Sequence, residues 1–176
     1  GQDAVRTSLM AGLIGLILVF AFMIIYYRIP GLAASIALVM YTALVIVLLS
    51  AFNEEITLTL PGIAGIILGI GMAVDANCII FARIREEIGA GKSVRTAIDA
   101  GFSKAFSAII DGNVTTLIAA GVLYFIGSGT VKGFAQTLAL GIVVSMFTAL
   151  VITKNILKSF YAVGLQDEKL YGKTVY

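Results

Sequence analysis

Residues 60–83 have the sequence LPGIAGIILGIGMAVDANCIIFAR, an apolar run that holds one carboxylate, Asp75, before the arginine that ends it. A helix that crosses the hydrocarbon of a bilayer needs about 20 mainly apolar residues, and residues 61–82 meet that requirement. An aspartate near the middle of such a helix costs about 2.5–3.5 kcal/mol on insertion scales. The segment therefore predicts a membrane-spanning helix whose buried acid serves a function.

Four other segments are as long and as apolar as this one. The five predicted transmembrane helices cover residues 9–27, 31–52, 61–82, 106–126 and 134–153. Residues 1–8 form a stub outside the bundle, 83–105 a loop and 154–176 a tail. The composition agrees, since 60% of the 176 residues are apolar and 12% are charged, against about 45–50% and 25% in ordinary globular domains. We expect an all-α membrane protein, and a soluble domain is excluded.

The basic residues indicate how the chain is oriented in the membrane. One side of the predicted bundle holds ten of the twelve Lys and Arg residues, namely Arg28, Arg83, Arg85, Lys92, Arg95, Lys104, Lys154, Lys158, Lys169 and Lys173. The other side has Arg6 and Lys132 together with Glu54 and Glu55. Because positive residues stay in the cytoplasm, we expect an extracytoplasmic N-terminus and a cytoplasmic C-terminus.

The first predicted helix starts outside the membrane with eight residues before it, and no signal peptide precedes it. We interpret the chain as the C-terminal piece of a longer protein. The alternative is a complete small protein that has lost its initiator methionine.

Several chemical classes are excluded by what the sequence lacks. It has no histidine, one cysteine (Cys78) and a formal net charge of +2. These counts argue against His-based metal sites, catalytic triads and intrachain disulfides, and the charge is too small for nucleic-acid binding by electrostatics. We expect no hydrolytic chemistry, no cofactor and no metal.

The loop of residues 83–105 contains a predicted helix of its own. Glycines at 89 and 91 interrupt the chain, and Ser93 is a suitable N-cap. The apolar residues that follow recur at helical spacing, with Arg95 and Asp99 as an i,i+4 pair. This pattern predicts an amphipathic helix on the inner membrane surface or against helix ends. Residues 164–176 show no periodicity, and we expect a mobile cytoplasmic tail.

Two acids, Asp75 and Asp111, lie inside predicted membrane helices. Each begins an Asp-x-Asn triplet, which ends at Asn77 or Asn113, and both lie roughly 10–12 Å from the basic side of the membrane. No Lys or Arg lies within the five spans to offset their charge. An intramembrane acid is by default a candidate for an ion or proton path, so both are predicted ion-carrying residues. A structural, interhelical hydrogen-bonding role stays open for Asp111.

Small and weakly polar residues accompany these acids. Ser107, Asp111 and Thr115 are spaced by four and form one polar stripe. The two asparagines are turned about 200° from their acids and more often hold helices together than bind ligands. On the third helix, Gly65, Gly69 and Gly71 predict close helix packing and permit sliding.

Together, these segments resemble a known family. Successive stretches are similar to segments of the SecD subunit of the bacterial SecDF protein-export machinery, namely LPGIAG (60–65), GMAVDAN (71–77), FARIREE (81–87), AIDAGF (97–102), DGNVTTL (111–117), KGF (132–134) and SMFTA (145–149). The similarity covers roughly residues 1–155 and departs from the common pattern at Cys78 and Gly112. Exporters of the resistance-nodulation-division superfamily share the architecture.

The resemblance implies a six-helix SecD bundle, of which this chain supplies the second to sixth helices, in the bacterial inner membrane. It implies SecF as a partner in a pseudo-twofold pair, beside the SecYEG channel, with proton or sodium flow driving preprotein export. The carboxylate that matches Asp75 is the ion-carrying residue of that family, and its basic partner belongs to SecF. Two alternatives stay open: a related exporter of small molecules or lipids, and a passive membrane scaffold.

Overall fold

The computed structural model describes residues 1–54, 56 and 58–172, and the regular secondary structure of these residues is all helical. The helices are α1 (Gln2–Tyr27), α2 (Ile29–Ala51), α3 (Leu60–Gly89), α4 (Val94–Ile126), α5 (Thr130–Phe147) and α6 (Thr153–Ala162). A π-helical turn, Thr148–Ile152, joins α5 to α6, and a 3₁₀ turn, Glu168–Tyr171, follows. The all-α fold predicted from the composition is therefore confirmed.

Five helical stretches in the described residues are long and apolar enough to cross a membrane, and the fifth runs unbroken through Thr130–Ala162. The protein is thus a multi-pass membrane protein. At 1.5 Å per residue, the 30 residues of α3 and the 33 of α4 extend about 45–50 Å, well beyond a hydrocarbon core of about 30 Å. Both helices project from the membrane at the end of the bundle where α1 and α3 finish, here named the charged end.

The helix predicted within the loop forms, but it is not a separate element. Ser93 caps it by accepting a hydrogen bond from the Thr96 backbone N–H, as expected, and the helix then continues as α4 through Ile126. Gly101 lies inside this continuous helix and allows it to pack closely on α3, because a Cβ there would collide with Ile84. The expected Arg95–Asp99 pair does not form, since Asp99 pairs with Lys154 and Lys158 on α6.

The centre of the bundle is α3, which packs against α1, α2, α4 and α5. In contrast α1 is peripheral, and of its residues only Met23 is buried. The apolar side chains that α1 exposes match its predicted place in the membrane, where lipid covers them. The packing therefore makes α3 the helix through which the others are held together.

Two of the three glycines singled out on α3 lie where it crosses α5. A Cβ at Gly65 would collide with Thr137 Oγ1. A Cβ at Gly69 would collide with the Tyr41 hydroxyl and lie 3.6 Å from Gly141 Cα. That hydroxyl is buried at the crossing and has no hydrogen-bond partner among the described residues. Gly71 makes no such packing contact among the described residues, because it is exposed and a Cβ there would touch nothing within 4 Å.

The segment after α6 is not the free tail that we expected, at least as far as Gly172. Tyr171 is buried and donates a hydrogen bond to the Leu165 carbonyl at 2.7 Å. The Arg28 guanidinium donates to the Lys169 carbonyl at 3.2 Å. Tyr171 therefore holds this segment against the ends of the helices. A single buried aromatic residue produces no periodic pattern, so the sequence did not indicate it. Residues 173–176 of the predicted tail lie outside the described residues.

Candidate ion-carrying site

A groove of roughly 200 Å³ runs between α3 and α4, and Asp75 lies on one of its walls. The groove is lined by Met72, Asp75, Ala76, Ile79, Ala108, Ile109, Gly112, Asn113 and Thr116. The polar side chains among these residues are Asp75 on α3 and Asn113 and Thr116 on α4. The remaining lining is apolar or glycine, so the groove presents a carboxylate in largely apolar surroundings.

Asp75 is exposed along this groove, whereas the sequence predicted a buried acid. The difference arises because none of the other described helices covers the α3–α4 face. In a membrane, a carboxylate on such a face must meet lipid, water or another protein, and an unpaired charge against lipid is costly. The structure thus leaves Asp75 without a covering helix among the described residues.

The asparagine of the first triplet faces the other way, as its spacing predicts. Asn77 is buried, with 3% of its surface exposed, and donates to the Ala73 carbonyl at 3.2 Å. Its side-chain oxygen accepts a hydrogen bond from Thr153 Oγ1 at 3.0 Å. Asn77 thus acts as interhelical glue between α3 and the fifth membrane span.

Thr153 is a residue that the sequence analysis missed. It is fully buried, and its hydroxyl also lies 3.2 Å from the Thr148 carbonyl. The π turn inserts one extra residue into the helix, so the last half of this span is rotated relative to a regular α-helix. The position of Thr153 in the sequence could have indicated its role. It is a polar residue directly before Lys154, and it follows Thr148 by five residues rather than four.

Replacing Thr153 with valine is expected to lower the stability of the protein by about 0.6–1.7 kcal/mol, between the average and the maximum measured for interhelical hydrogen bonds in a membrane protein. Valine keeps the shape but leaves the buried Asn77 oxygen without its donor. The matched variant Thr153→Ser retains the hydroxyl and should lose less. Unfolding in detergent micelles measures both, and equal losses would mean that the missing methyl and shape matter more than the bond.

The second triplet is arranged differently from the first. Asn113 lines the groove and donates to the Ile109 carbonyl at 2.7 Å, whereas Asp111 is exposed outside the groove. Thr115 donates to the Asp111 backbone carbonyl at 2.8 Å. The predicted stripe of Ser107, Asp111 and Thr115 therefore exists on the outer face of α4. The structure brings Asp75 together with Asn113 and leaves Asp111 apart from them.

The ion pairs found among the described residues gather at the charged end. Arg83 pairs with Glu86 at 2.8 Å, and the buried Glu87 is held by both Lys92 and Lys104. Asp99 pairs with Lys158 at 3.0 Å and with Lys154 at 3.5 Å. Among the described residues, Asp75 makes no ion pair, and no group of three His, Cys, Asp or Glu residues could hold a metal. The groove can therefore accept a proton, a monovalent cation or a basic side chain.

Comparison with known proteins matches almost the whole chain. The family model for the protein export membrane protein SecD/SecF, C-terminal, covers residues 1–163. Protein translocase subunit SecD of Acidaminococcus fermentans is 57% identical over 157 residues, and that of Synechocystis sp. is 56% identical over 158. Each alignment covers 89% of this chain but only 37% and 33% of the relative. The chain thus spans about a third of the length of these curated relatives.

The structural comparison agrees with the sequence comparison. The crystal structure of SecDF, a translocon-associated membrane protein from Thermus thermophilus, superposes with a TM-score of 0.89 at 43% identity. It covers 93% of this chain and 23% of the Thermus chain. A second structure, of SecDF in a super-membrane-facing form, gives a TM-score of 0.85. The chain belongs to the SecD/SecF C-terminal family, as the C-terminal membrane portion of a SecD subunit.

Proposed function

We propose that this chain is the membrane motor part of a protein-translocase subunit, which couples proton or sodium flow to preprotein export through the Sec channel. The observation that carries the proposal is Asp75, a carboxylate that pairs with no cation among the described residues and lies in a largely apolar groove between two long helices. The printed names of the relatives, protein translocase subunit SecD, support the export role.

Asp75 is the group that loads and unloads the ion. It takes up a proton or sodium ion from the outer side, which neutralises the groove and favours one packing of α3 against α4. Release toward the cytoplasm restores the charge and favours the other packing. Such a cycle needs two states that differ by a few kcal/mol and an ion that binds them unequally. Asn113 and Thr116 supply polar contacts for the ion on the facing helix.

The exposed α3–α4 face supports SecF as the partner that covers the groove and supplies the missing cation. The concentration of basic residues at the charged end supports a cytoplasmic location for that end, with the N-terminus of this chain outside the cell. The setting is the bacterial inner membrane, beside the SecYEG channel, with the preprotein as cargo. Asp111, on the outer face of α4, is a second ion-carrying candidate.

The experiment compares export in inverted membrane vesicles that contain the full-length protein and SecF with vesicles that lack them. A preprotein arrested midway should complete translocation faster when an ion gradient is present, and only in the first vesicles. A protonophore should abolish the difference if protons are used, and a sodium ionophore if sodium is used. Export that is equally fast with and without the gradient would contradict the proposal.

A related exporter of small molecules or lipids is the second candidate function. It is favoured by an apolar groove of roughly 410 Å³ between α1, α2 and α3, which opens along the membrane part of the bundle. An activity that persists when the Sec channel is removed would support this exporter over the translocase motor.

A further inference from the structure

Two cavities of roughly 350 Å³ each lie side by side at the charged end, between α4 and the fifth membrane span. The outer cavity is lined by Arg95, Ile98, Asp99, Lys158, Tyr161 and Ala162. The inner cavity is lined by Phe102, Ser103, Phe106, Leu150 and Lys154. They adjoin, because Lys154 of the inner cavity lies 3.5 Å from Asp99 of the outer one. The two adjoining cavities are here named the α4–α6 groove.

The α4–α6 groove changes from charged to apolar along its length. Its outer half has Arg95 and Lys158 in the part of α4 and α6 that projects from the membrane. Its inner half has two phenylalanines and a leucine where α4 enters the apolar span. From Arg95 to Phe106 the rise along α4 is about 16 Å. That distance suits a lipid headgroup followed by the first part of an acyl chain, since each headgroup layer is several ångströms thick.

The charges in the groove favour an anion. Three cations, Arg95, Lys154 and Lys158, face one carboxylate, Asp99, so the lining has an excess of two positive charges. Asp99 holds both lysines, whose side chains nevertheless stay 35% and 48% exposed. Arg95 has no ion-pair partner among the described residues, so its guanidinium is available to a ligand. Lys154 also lies 5.7 Å from the Phe102 ring centroid, which places a cation at the boundary of the two halves.

We propose that the α4–α6 groove binds an anionic phospholipid. The phosphate and headgroup lie against Lys154, Lys158 and Arg95, and an acyl chain follows Phe106 and Leu150. Clusters of Lys and Arg at the cytoplasmic boundary attract anionic lipids at about 1 kcal/mol for each residue near the surface. The joined apolar half distinguishes this groove from a surface that only attracts phosphate. The inference goes beyond the proposed export function and does not depend on it.

The test uses the full-length protein with its partner subunit, reconstituted in nanodiscs in which phosphatidylglycerol is the minority lipid. Spin-labelled phosphatidylglycerol and phosphatidylcholine report which lipid is immobilised by the protein. We expect a preference for phosphatidylglycerol that falls about fivefold for each cation removed in Arg95→Gln and in the double variant Arg95→Gln/Lys158→Gln. Arg83→Gln, at the same end but paired with Glu86 outside the groove, should keep the preference.

Other outcomes are equally informative. A preference unchanged in Arg95→Gln would overturn the proposal, and this variant removes no ion pair, so it should fold even if the double variant does not. The absence of any preference for phosphatidylglycerol in the assembled complex would also overturn the proposal. Soluble glycerol 3-phosphate should fail to displace the labelled lipid. Displacement would mean that the apolar half is not used.

Discussion

The full-length protein with Asp75→Asn is expected to lose the gradient-dependent part of preprotein export completely and to retain the gradient-independent part. An amide has nearly the shape of the carboxyl group but cannot release a proton, and it binds a sodium ion without neutralising a charge. Because Asp75 lies on an open groove wall and makes no ion pair within the described chain, its loss should leave the stability of the bundle nearly unchanged. The arrested-preprotein assay measures the first effect and thermal unfolding the second.

The control for this variant is Glu86→Gln, the same chemical change on the same helix. Glu86 is exposed at the charged end and pairs only with Arg83, three residues earlier, so export should be unaffected. Asp75→Leu separates the motor from a passive scaffold. If the acid only holds helices together, Asp75→Asn should preserve export and Asp75→Leu should destabilise the protein. Loss of export in Asp111→Asn but not in Asp75→Asn would instead place the ion carrier on α4.

The helices in the membrane could be predicted closely because the bilayer imposes a length. The segment predicted at 9–27 ends at Tyr27 in the structure, and that predicted at 31–52 ends at Ala51. The predicted stub of residues 1–8 is wrong, because α1 already begins at Gln2. At the charged end, the bounds predicted for α3, α4 and the fifth membrane span fall short of the helices in the structure. Arg83 marks where α3 leaves the hydrocarbon, but a charge does not stop a helix, which continues to Gly89. The same reasoning separated residues 94–105 from a helix that is in fact continuous.

The acids of the site could be predicted, but not the rotation of α4 about its own axis. Asp75 and Asp111 lie at similar depths, which the rise per residue gives directly. Which side of α4 faces α3 is another matter, because a helix in lipid is apolar on its outer face as well as its inner one. The sequence pattern therefore could not show that Asn113, rather than Asp111, shares the groove with Asp75. The π turn, which no pattern of apolar residues encodes, was missed for a similar reason.

Substitutions at the glycines of α3 test which face of this helix packs against α5. Gly65→Leu is expected to destabilise the protein by about 3 kcal/mol, at the upper end of the cost of overpacking a core. A side chain there would collide with Thr137 Oγ1 and lie 3.1 Å from the Phe134 carbonyl. It would also disturb the hydrogen bond that Thr137 donates to the Gly62 carbonyl at 2.9 Å. Unfolding of the reconstituted protein measures the loss.

Gly71→Leu is the matched control, since it makes the same substitution six residues further along the same helix. Both changes gain helix propensity by the same amount, so the difference between them isolates the α3–α5 contact. Gly71 has open space around it, and its variant should be as stable as the unmodified chain or slightly more so. Equal stabilities for the two variants would mean that α3 and α5 do not cross at Gly65. A loss in Gly71→Leu that appears only when SecF is present would instead report the proposed contact between SecF and this face of α3.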